Sequence, residues 1–275
     1  MKCRLHITIF LALLVVGMIP AHTAPPELYA QSAATLLNRR FSDTNISYLL
    51  LDAHTGALLA SRWPQPDQPV PVGSLIKPFT ALAYGESHAF KFPEHVCSGK
   101  QCWLPHGHGR LDLSAAIAYS CNSYFRSLAA GLSPGALARV LDDLGLPALP
   151  HLTSAAFVGF GDDWTVPPLA LARAYAALAA RSDQDGVRPI LAGMQMSARE
   201  GTGKAIGAAL AGSPALAKTG TAPCVHGTAP GDGYSVTLYP ADSPRLLLLV
   251  RVHGTPGSHA AITAGQMLHA LLETN

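Results

Sequence analysis

Apolar residues mark β-strands near both ends of the chain. Ile46 to Asp52 is rich in Ile, Tyr and Leu, and a tight Ala-His-Thr-Gly turn joins it to a second apolar segment, Ala57 to Ser61. Prolines at both ends of segment 240–244 predict a hairpin turn between two later strands. Strand patterns return in the last quarter of the chain at Ala215 to Thr221, Gly233 to Tyr239 and Arg245 to His253.

Apolar residues at helical spacing dominate the middle of the chain. Pro71-Val-Gly-Ser74 opens an apolar helix that runs towards Tyr84, whereas residues 85–110 hold many Gly, Pro and His residues and are predicted to be loop. Capping residues and prolines predict further helices. These helices run from Asp112 through Ala118, from Ser133-Pro134 to Gly145, from Leu169 to Arg181 and from Ala260 to Leu272. The third of them directly follows Pro167 and Pro168.

The order of strands, helices, strands and a final helix predicts an α/β (α+β) fold. We expect an antiparallel sheet built from both chain ends and flanked by helices, with a mainly helical lobe inserted between its strands. The sheet lobe is placed at about residues 25–84 and 186–275, and the helical lobe at about 85–185. A binding cleft is expected where the two lobes meet.

The N-terminus has the pattern of an export signal. A basic start precedes an apolar run from Ile7 to Ile19, and small residues follow it up to Ala24. The run is shorter than the roughly 20 residues of a spanning helix. Because Pro25 makes cleavage after Ala24 awkward, residues 1–24 are predicted to be either a signal peptide or an N-terminal membrane tether. The remainder, 25–275, is predicted to lie outside the cytoplasm.

The amino-acid composition limits which kinds of molecule the protein is expected to bind. Hydrophobic residues make up 49% of the 275 residues and charged residues 13%, so a sizeable core is expected. The net charge is +2, but Lys2 and Arg4 lie in the N-terminal segment, which leaves the rest close to neutral. Without a basic patch, nucleic acid is excluded as a partner.

Export also changes what the cysteines predict. Cys97 and Cys102 flank a polar loop, and in an oxidising compartment this spacing predicts a disulfide. His106 and His108 lie nearby, but with them the spacing matches no structural zinc pattern. We therefore expect no metal and no cofactor.

Three short motifs each occur once in the chain. They are Ser74-Leu-Ile-Lys77, Ser120-Cys-Asn122 and Lys218-Thr-Gly220. Any one of them alone carries little weight, because such short patterns arise by chance. The chain has only six lysines, however, and two of them lie in these motifs.

The chemistry of these residues suits acyl transfer. Ser74 begins a helix, where free backbone N–H groups favour negative charge, and Lys77 lies one turn later on the same face. A serine nucleophile needs a base, and Lys77 can be that base if burial and a second cation, Lys218, lower its pKa. Ser120 is expected to pass the proton onward, and Asn122 to bind a substrate amide.

The third motif is expected to form one wall of the cleft. Alternation along a strand points Lys218 and Thr219 to opposite sides, so this strand should border the cleft edge-on. Gly220 permits a substrate backbone to approach closely. The N–H groups of Ser74 and Thr221 are then placed to form an oxyanion hole. Cys121 is expected to be a buried thiol, whereas the role of Cys224 stays open.

In this order the three motifs resemble those of penicillin-binding proteins and serine β-lactamases. The likeness extends over most of the exported part of the chain. It covers Pro71 to Pro78, Gly107 to Phe125, Thr165 to Ala180, Lys218 to Ala222 and Gly257 to Leu272. The resemblance implies catalytic roles for Ser74, Lys77, Ser120, Asn122 and Lys218, and substrate-binding roles for Thr219, Gly220 and Thr221.

The resemblance allows three functions. The first is a serine D,D-transpeptidase or D,D-carboxypeptidase that acts on peptidoglycan stem peptides, binds β-lactams and resides in the bacterial periplasm or at the outer face of the cytoplasmic membrane. The second is a β-lactamase, because spacings of 46 residues from Ser74 to Ser120 and 98 from Ser120 to Lys218 are compact, as in class D enzymes. The third is a non-catalytic β-lactam sensor. Glu200 is the only Glu between the second and third motifs, and no class A, C or D deacylation pattern is recognisable.

Overall fold

The computed structural model describes residues 26–147, 153–160, 164–224 and 231–273. The predicted signal peptide or tether at residues 1–24 lies outside this part of the chain. Among the described residues, no helix combines the length and the apolar character needed to cross a bilayer.

Nine strands lie in the described part of the chain. They are β1 (Ile46–Asp52), β2 (Leu58–Arg62), β3 (Val70–Pro71), β4 (His95–Cys97), β5 (Gly109–Leu111), β6 (Thr165–Val166), β7 (Leu216–Ala222), β8 (Asp232–Tyr239) and β9 (Leu246–Val252). The α-helices of the same part are α1 (Pro26–Arg40), α2 (Lys77–Ser87), α3 (Leu113–Ala118), α4 (Asn122–Ala130), α5 (Pro134–Asp143), α6 (Pro168–Ala179), α7 (Arg188–Arg199), α8 (Lys204–Ala209) and α9 (Gly257–Glu273).

The main sheet joins the two ends of the chain, as predicted. Its five strands lie in the order β2-β1-β9-β8-β7, and every neighbouring pair is antiparallel. Strand β1 pairs with β9, so that Leu49 lies opposite Leu249 and Leu50 opposite Leu248. Strand β7, which carries the third motif, is an edge strand of this sheet.

Both faces of the sheet are covered, and alternate residues of each central strand enter different cores. On β9, Leu248 packs in a core with residues of α9 and α1, such as Met267 and Leu37. Its neighbour Leu249 lies in a larger core with residues of the helical lobe. Because side chains of a strand alternate between its faces, an almost continuous apolar run is what a doubly covered strand requires. The predicted fold class is therefore confirmed, whereas the boundaries of the two lobes stay a prediction.

The prediction of loop for residues 85–110 was wrong in part. Strand β4 lies in the middle of this segment and β5 begins at its end, and the two form a two-stranded ribbon in which Cys97 pairs with Gly109. Each strand has only three residues, which is too short for alternation to be recognised among the surrounding Gly and Pro residues.

Buried hydrogen bonds tie the helical lobe to the turn that carries Ser74. The hydroxyl of Tyr175 on α6 donates to the backbone oxygen of Leu75 at 2.7 Å, and both groups are buried. The ring of Tyr175 packs edge-on against Phe79, with ring centroids 5.0 Å apart. On α2, Thr80 donates to the backbone oxygen of Phe157 at 2.7 Å. The position of Ser74 thus depends on contacts with residues more than 75 positions away.

We expect Tyr175→Phe to lower the free energy of unfolding by about 1 kcal/mol, because it removes a buried hydrogen bond and keeps the ring. Urea unfolding of the purified protein measures this. The control is Tyr239→Phe, on the half-buried end of β8, which should change stability by less than about 0.5 kcal/mol. Equal effects of the two substitutions would contradict the role given to the Tyr175 hydroxyl.

Candidate active site

The turn that carries Ser74 is held by close backbone contacts on two sides. Residues Gly73–Ile76 form a 3₁₀ turn that leads directly into α2. Gly73 has φ of +56°, and a Cβ there would lie 2.2 Å from the backbone oxygen of Thr221 on β7. From the other side, a Cβ on Gly159 would lie 2.3 Å from the oxygen of Gly73. Only glycine permits these two approaches, and they bring Ser74 beside the third motif.

Ser120 has a strained backbone. It lies between α3 and α4 with φ of +51°, in the left-handed region that residues other than glycine rarely adopt. The chain then enters α4 at Asn122. Strain of this kind persists where the surrounding structure over-determines the conformation, and it is concentrated at functional sites.

Two buried lysines converge on Ser120. Lys77 Nζ donates to Ser120 Oγ at 3.1 Å, to the backbone oxygen of Ser120 at 2.8 Å and to Asn122 Oδ1 at 2.6 Å. Lys218 Nζ donates to Ser120 Oγ at 2.9 Å and to the backbone oxygen of Thr219 at 2.7 Å. Neither lysine side chain is exposed to solvent. The structure therefore brings five of the predicted site residues into one hydrogen-bonded group, with Ser120 at its centre.

Burial makes the neutral form of these amines accessible. Desolvation lowers the pKa of Lys77 from 10.5 to about 7. Desolvation also holds the pKa of Lys218 well below its usual range, and the nearby charge of Lys77 lowers it further. In a medium that solvates charge poorly, two amines that share one hydroxyl group disfavour double protonation. One of them can then accept a proton at neutral pH.

The predicted site residues divide between a cleft and the layer behind it. A cleft of about 530 Å³ is lined by Ser74, Ser120, Asn122, Thr219, Gly220 and Thr221. Lys77 and Lys218 lie behind these residues and do not reach its surface. The Lys77 hydrogen bonds within the described residues go to Ser120 and Asn122 and not to Ser74.

Several residues of the cleft were not predicted from the sequence. Trp103, Tyr119 and Phe160 give it aromatic walls, and Thr202 accepts a hydrogen bond from Thr219 Oγ1 at 2.6 Å. Trp103 is 53% exposed, which is unusual for so large an apolar side chain. A tryptophan in a Gly- and His-rich segment was the one signal in the sequence that pointed to this wall.

The cysteines differ from the sequence-based expectation. Cys97 and Cys102 are free in the structure, so the predicted disulfide between them is not formed. Cys121 is fully buried, at the position where a buried thiol was expected. Cys224 lies near Asp232 and His253, and it is not among the residues that line the cleft.

A sequence model of the penicillin-binding protein transpeptidase domain matches residues 46–273. This match spans most of the chain and includes all three motifs. The chain belongs to the penicillin-binding protein transpeptidase family. No curated protein sequence matches it.

Solved structures with this fold include other penicillin-binding proteins. PBP2 of Pseudomonas aeruginosa has 19% identity and a TM-score of 0.74, over 88% of this chain and 74% of that chain. The transpeptidase domain of Burkholderia pseudomallei penicillin-binding protein 3 has 18% identity and a TM-score of 0.68, over 90% and 92% of the two chains. The FtsI4 D,D-transpeptidase domain of Legionella pneumophila has 18% identity and a TM-score of 0.67, over 92% and 98%. At these identities the likeness establishes the penicillin-binding fold.

If neutral Lys77 is the base of this penicillin-binding domain, acylation should accelerate as the pH rises through about 7, where Lys77 loses its proton. The rate of covalent labelling by a fluorescent penicillin, measured on both sides of that pH, tests this. Lys77→Arg should slow labelling at least about 100-fold at every pH, since a guanidinium keeps its proton.

The matched control for that experiment is Lys91→Arg, which alters an exposed lysine beyond α2. It should leave both the rate and its pH dependence unchanged. A rate that is independent of pH in the wild-type protein, or rapid labelling of Lys77→Arg, would contradict the assignment of Lys77 as the base.

Proposed function

We propose that the protein is a serine D,D-transpeptidase or D,D-carboxypeptidase that acts on peptidoglycan stem peptides and is acylated by β-lactams. The observation that carries this proposal is the contact of two buried lysines with Ser120 directly behind the cleft that Ser74 lines. We further propose that residues 1–24 direct export, so that the domain works in the bacterial periplasm or at the outer face of the cytoplasmic membrane.

In the proposed acylation step, Ser74 Oγ forms a bond to the carbonyl carbon of the penultimate D-alanine and its proton moves to neutral Lys77. The tetrahedral intermediate then collapses, and the bond from that carbon to the nitrogen of the terminal D-alanine breaks. Ser120 passes a proton from the lysines to this nitrogen, which leaves as a free amine. The product of the step is an ester on Ser74.

The negative charge that develops on the substrate carbonyl oxygen must be stabilised by hydrogen-bond donors. The backbone N–H groups of Ser74 and Thr221 are the proposed oxyanion hole, supported by the close approach of Gly73 to Thr221. Asn122 accepts from Lys77 through Oδ1, so its amide N–H groups are left to bind a substrate carbonyl. Strand β7 is an edge strand, so its free edge is proposed to pair with an extended substrate backbone. Gly220 lets the turn that carries Ser74 pack against this strand, because a Cβ there would lie 2.8 Å from the backbone oxygen of Val72.

The ester on Ser74 is resolved by a second nucleophile. An amine of another stem peptide gives a cross-link, whereas water gives a shortened peptide, and either reaction restores the Ser74 hydroxyl. A β-lactam opens to an ester in the same way, but its leaving amine stays attached and obstructs the acceptor. Rapid hydrolysis would then require a dedicated base for water.

Among the described residues that line the cleft, Glu200 is the one carboxylate. Its Oε1 accepts from Arg199 at 2.7 Å, and its side chain is 46% exposed. A carboxylate that faces solvent and is held by a neighbouring arginine is poorly placed to activate a water at the Ser74 ester, and this favours slow deacylation. Within residues 26–147, 153–160, 164–224 and 231–273, the cleft lining therefore supports the peptidase proposal over the β-lactamase alternative.

We expect a fluorescent penicillin to label the wild-type protein on the peptide that contains Ser74. Ser74→Ala should abolish labelling because it removes the nucleophile, while circular dichroism shows an unchanged fold. The matched control is Ser258→Ala, since Ser258 also lines the cleft. This variant should be labelled like the wild-type protein. Labelling that survives in Ser74→Ala would refute the assignment of the nucleophile.

The lifetime of the adduct separates the three functions. We expect the penicilloyl adduct, followed by intact-protein mass after removal of excess drug, to persist for many minutes and to be unaffected by Glu200→Gln. Release within seconds, with multiple turnovers of nitrocefin, would establish a β-lactamase instead. A stable adduct without any turnover of a D-Ala-D-Ala peptide would identify a sensor.

A further inference from the structure

Four side chains with metal-binding atoms converge beneath the second motif. Cys97, Cys102, His108 and Cys121 each present one such atom, and these atoms all lie within 4.8 Å of one another. Cys97 and Cys121 are fully buried or nearly so, and Cys102 and His108 are half-buried. Three sulfurs and one imidazole form a common ligand set of structural zinc sites.

Two of the separations, both made by Cys102, match the edges of a tetrahedron around zinc. With Zn–S of about 2.3 Å and Zn–N of about 2.0–2.1 Å, tetrahedral geometry places two sulfurs about 3.8 Å apart and a sulfur and a nitrogen about 3.6 Å apart. Cys102 Sγ lies 3.8 Å from Cys121 Sγ and 3.5 Å from His108 Nδ1. A disulfide requires sulfurs about 2.05 Å apart, so the geometry favours a shared ion over a bond between them.

Three of the four ligands lie in or directly beside elements of secondary structure. Cys97 ends β4, His108 immediately precedes β5, and the pairing of Cys97 with Gly109 fixes the two strands relative to each other. Cys121 occupies the N-cap position of α4. Gly107 has φ of +74°, and a Cβ there would lie 2.1 Å from the backbone oxygen of Cys97, so the loop closes only with glycine at this position.

The surroundings of His108 hold its ring in place. The centroid of the imidazole lies 5.3 Å from that of Trp103 and 5.9 Å from that of Tyr119. The second ring nitrogen of His108, Nε2, is buried without a hydrogen-bond partner. Because the ring packs against Trp103 and Tyr119, Nδ1 is held beside the Cys102 sulfur.

We propose that the protein binds one Zn²⁺ through Cys97, Cys102, His108 and Cys121, in a closed structural site. Soft thiolate ligands in tetrahedral geometry select zinc over the harder divalent ions, and four protein ligands leave no position for a reacting water. This proposal reverses the expectation from the sequence that no metal binds. That expectation considered only the histidines near Cys97 and Cys102, because Cys121 lies in a separate motif.

The zinc site would affect catalysis by holding Ser120 in position. Cys121 stands between Ser120 and Asn122, the residues that Lys77 contacts. An ion bound to Cys121 would hold the start of α4 and with it the left-handed backbone of Ser120. The ligands themselves do not line the cleft among the described residues, so substrate binding should depend on zinc less than the acylation step does.

Metal content of the full-length protein tests the proposal without any substrate. Protein purified without chelator should contain about one zinc per chain by mass spectrometry of the elements. After metal removal under reducing conditions, added CoCl₂ should give a thiolate-to-cobalt charge-transfer band and the intense visible absorption of tetrahedral Co²⁺, and ZnCl₂ should displace both. Since neither measurement uses Ser74, their outcome is independent of the proposed function.

Two histidines in one loop provide matched variants. His108→Gln should weaken zinc binding by more than the roughly 10–100-fold that is typical of lost outer-shell partners. His106→Gln, which alters an exposed histidine two residues away, should bind zinc like the wild-type protein. Penicillin labelling of His108→Gln should show a lower acylation rate constant with little change in the dissociation constant for the initial complex.

Three results would overturn the proposal. They are a wild-type protein that binds neither Zn²⁺ nor Co²⁺ when its thiols are reduced, equal zinc affinities of the two histidine variants, and a Cys97–Cys102 disulfide in periplasmically expressed protein isolated with ZnCl₂ present. If removal of zinc changed the acylation rate constant and the dissociation constant alike, the metal would not act by positioning Ser120.

Discussion

Two lysine side chains without solvent exposure share the hydroxyl group of Ser120, and the arrangement of the site depends on this contact. Water would keep both amines protonated at neutral pH, but burial lowers the pKa of each and leaves one of them able to accept a proton. The group is therefore held together by hydrogen bonds, and its burial sets its protonation. Loss of Lys77 would also remove a charge that lowers the pKa of Lys218, and effects of paired substitutions should not be additive.

The scaffold brings this group together from distant parts of the chain. Lys218 lies on β7, which is an edge strand. The side chains on one face of this strand can contact the helical lobe, and the free edge of the strand remains open to substrate. Lys77 follows a turn that fits against β7 only because residue 73 is glycine. Ser120 is reached through a left-handed backbone that the neighbouring helices, and in our proposal a zinc ion, hold in place. Each of these contacts joins segments that are distant in the sequence, so their common meeting point is a property of the tertiary fold.

Features that depend on neighbouring residues could be predicted from the sequence. Strand β1 was predicted with its observed bounds, and the Asp112 side chain caps α3 by accepting from the backbone N–H of Ala115 as expected. The three motifs were recognisable because each occurs within a few residues. Contacts between distant segments carried no such signal. The aromatic wall of the cleft and the meeting of Cys121 with Cys97 and His108 required the fold, and β4 and β5 were too short for alternation to show.

If the lysine pair activates Ser74 for acyl transfer from a peptide, the reaction can be followed by intact-protein and product mass spectrometry after incubation with a disaccharide-pentapeptide ending in D-Ala-D-Ala. We expect release of free D-alanine, together with either a shortened peptide or a product enlarged by an added amine, and a transient acyl mass on the peptide containing Ser74. Unchanged pentapeptide and an unmodified Ser74, in protein that is still acylated by penicillin, would contradict it.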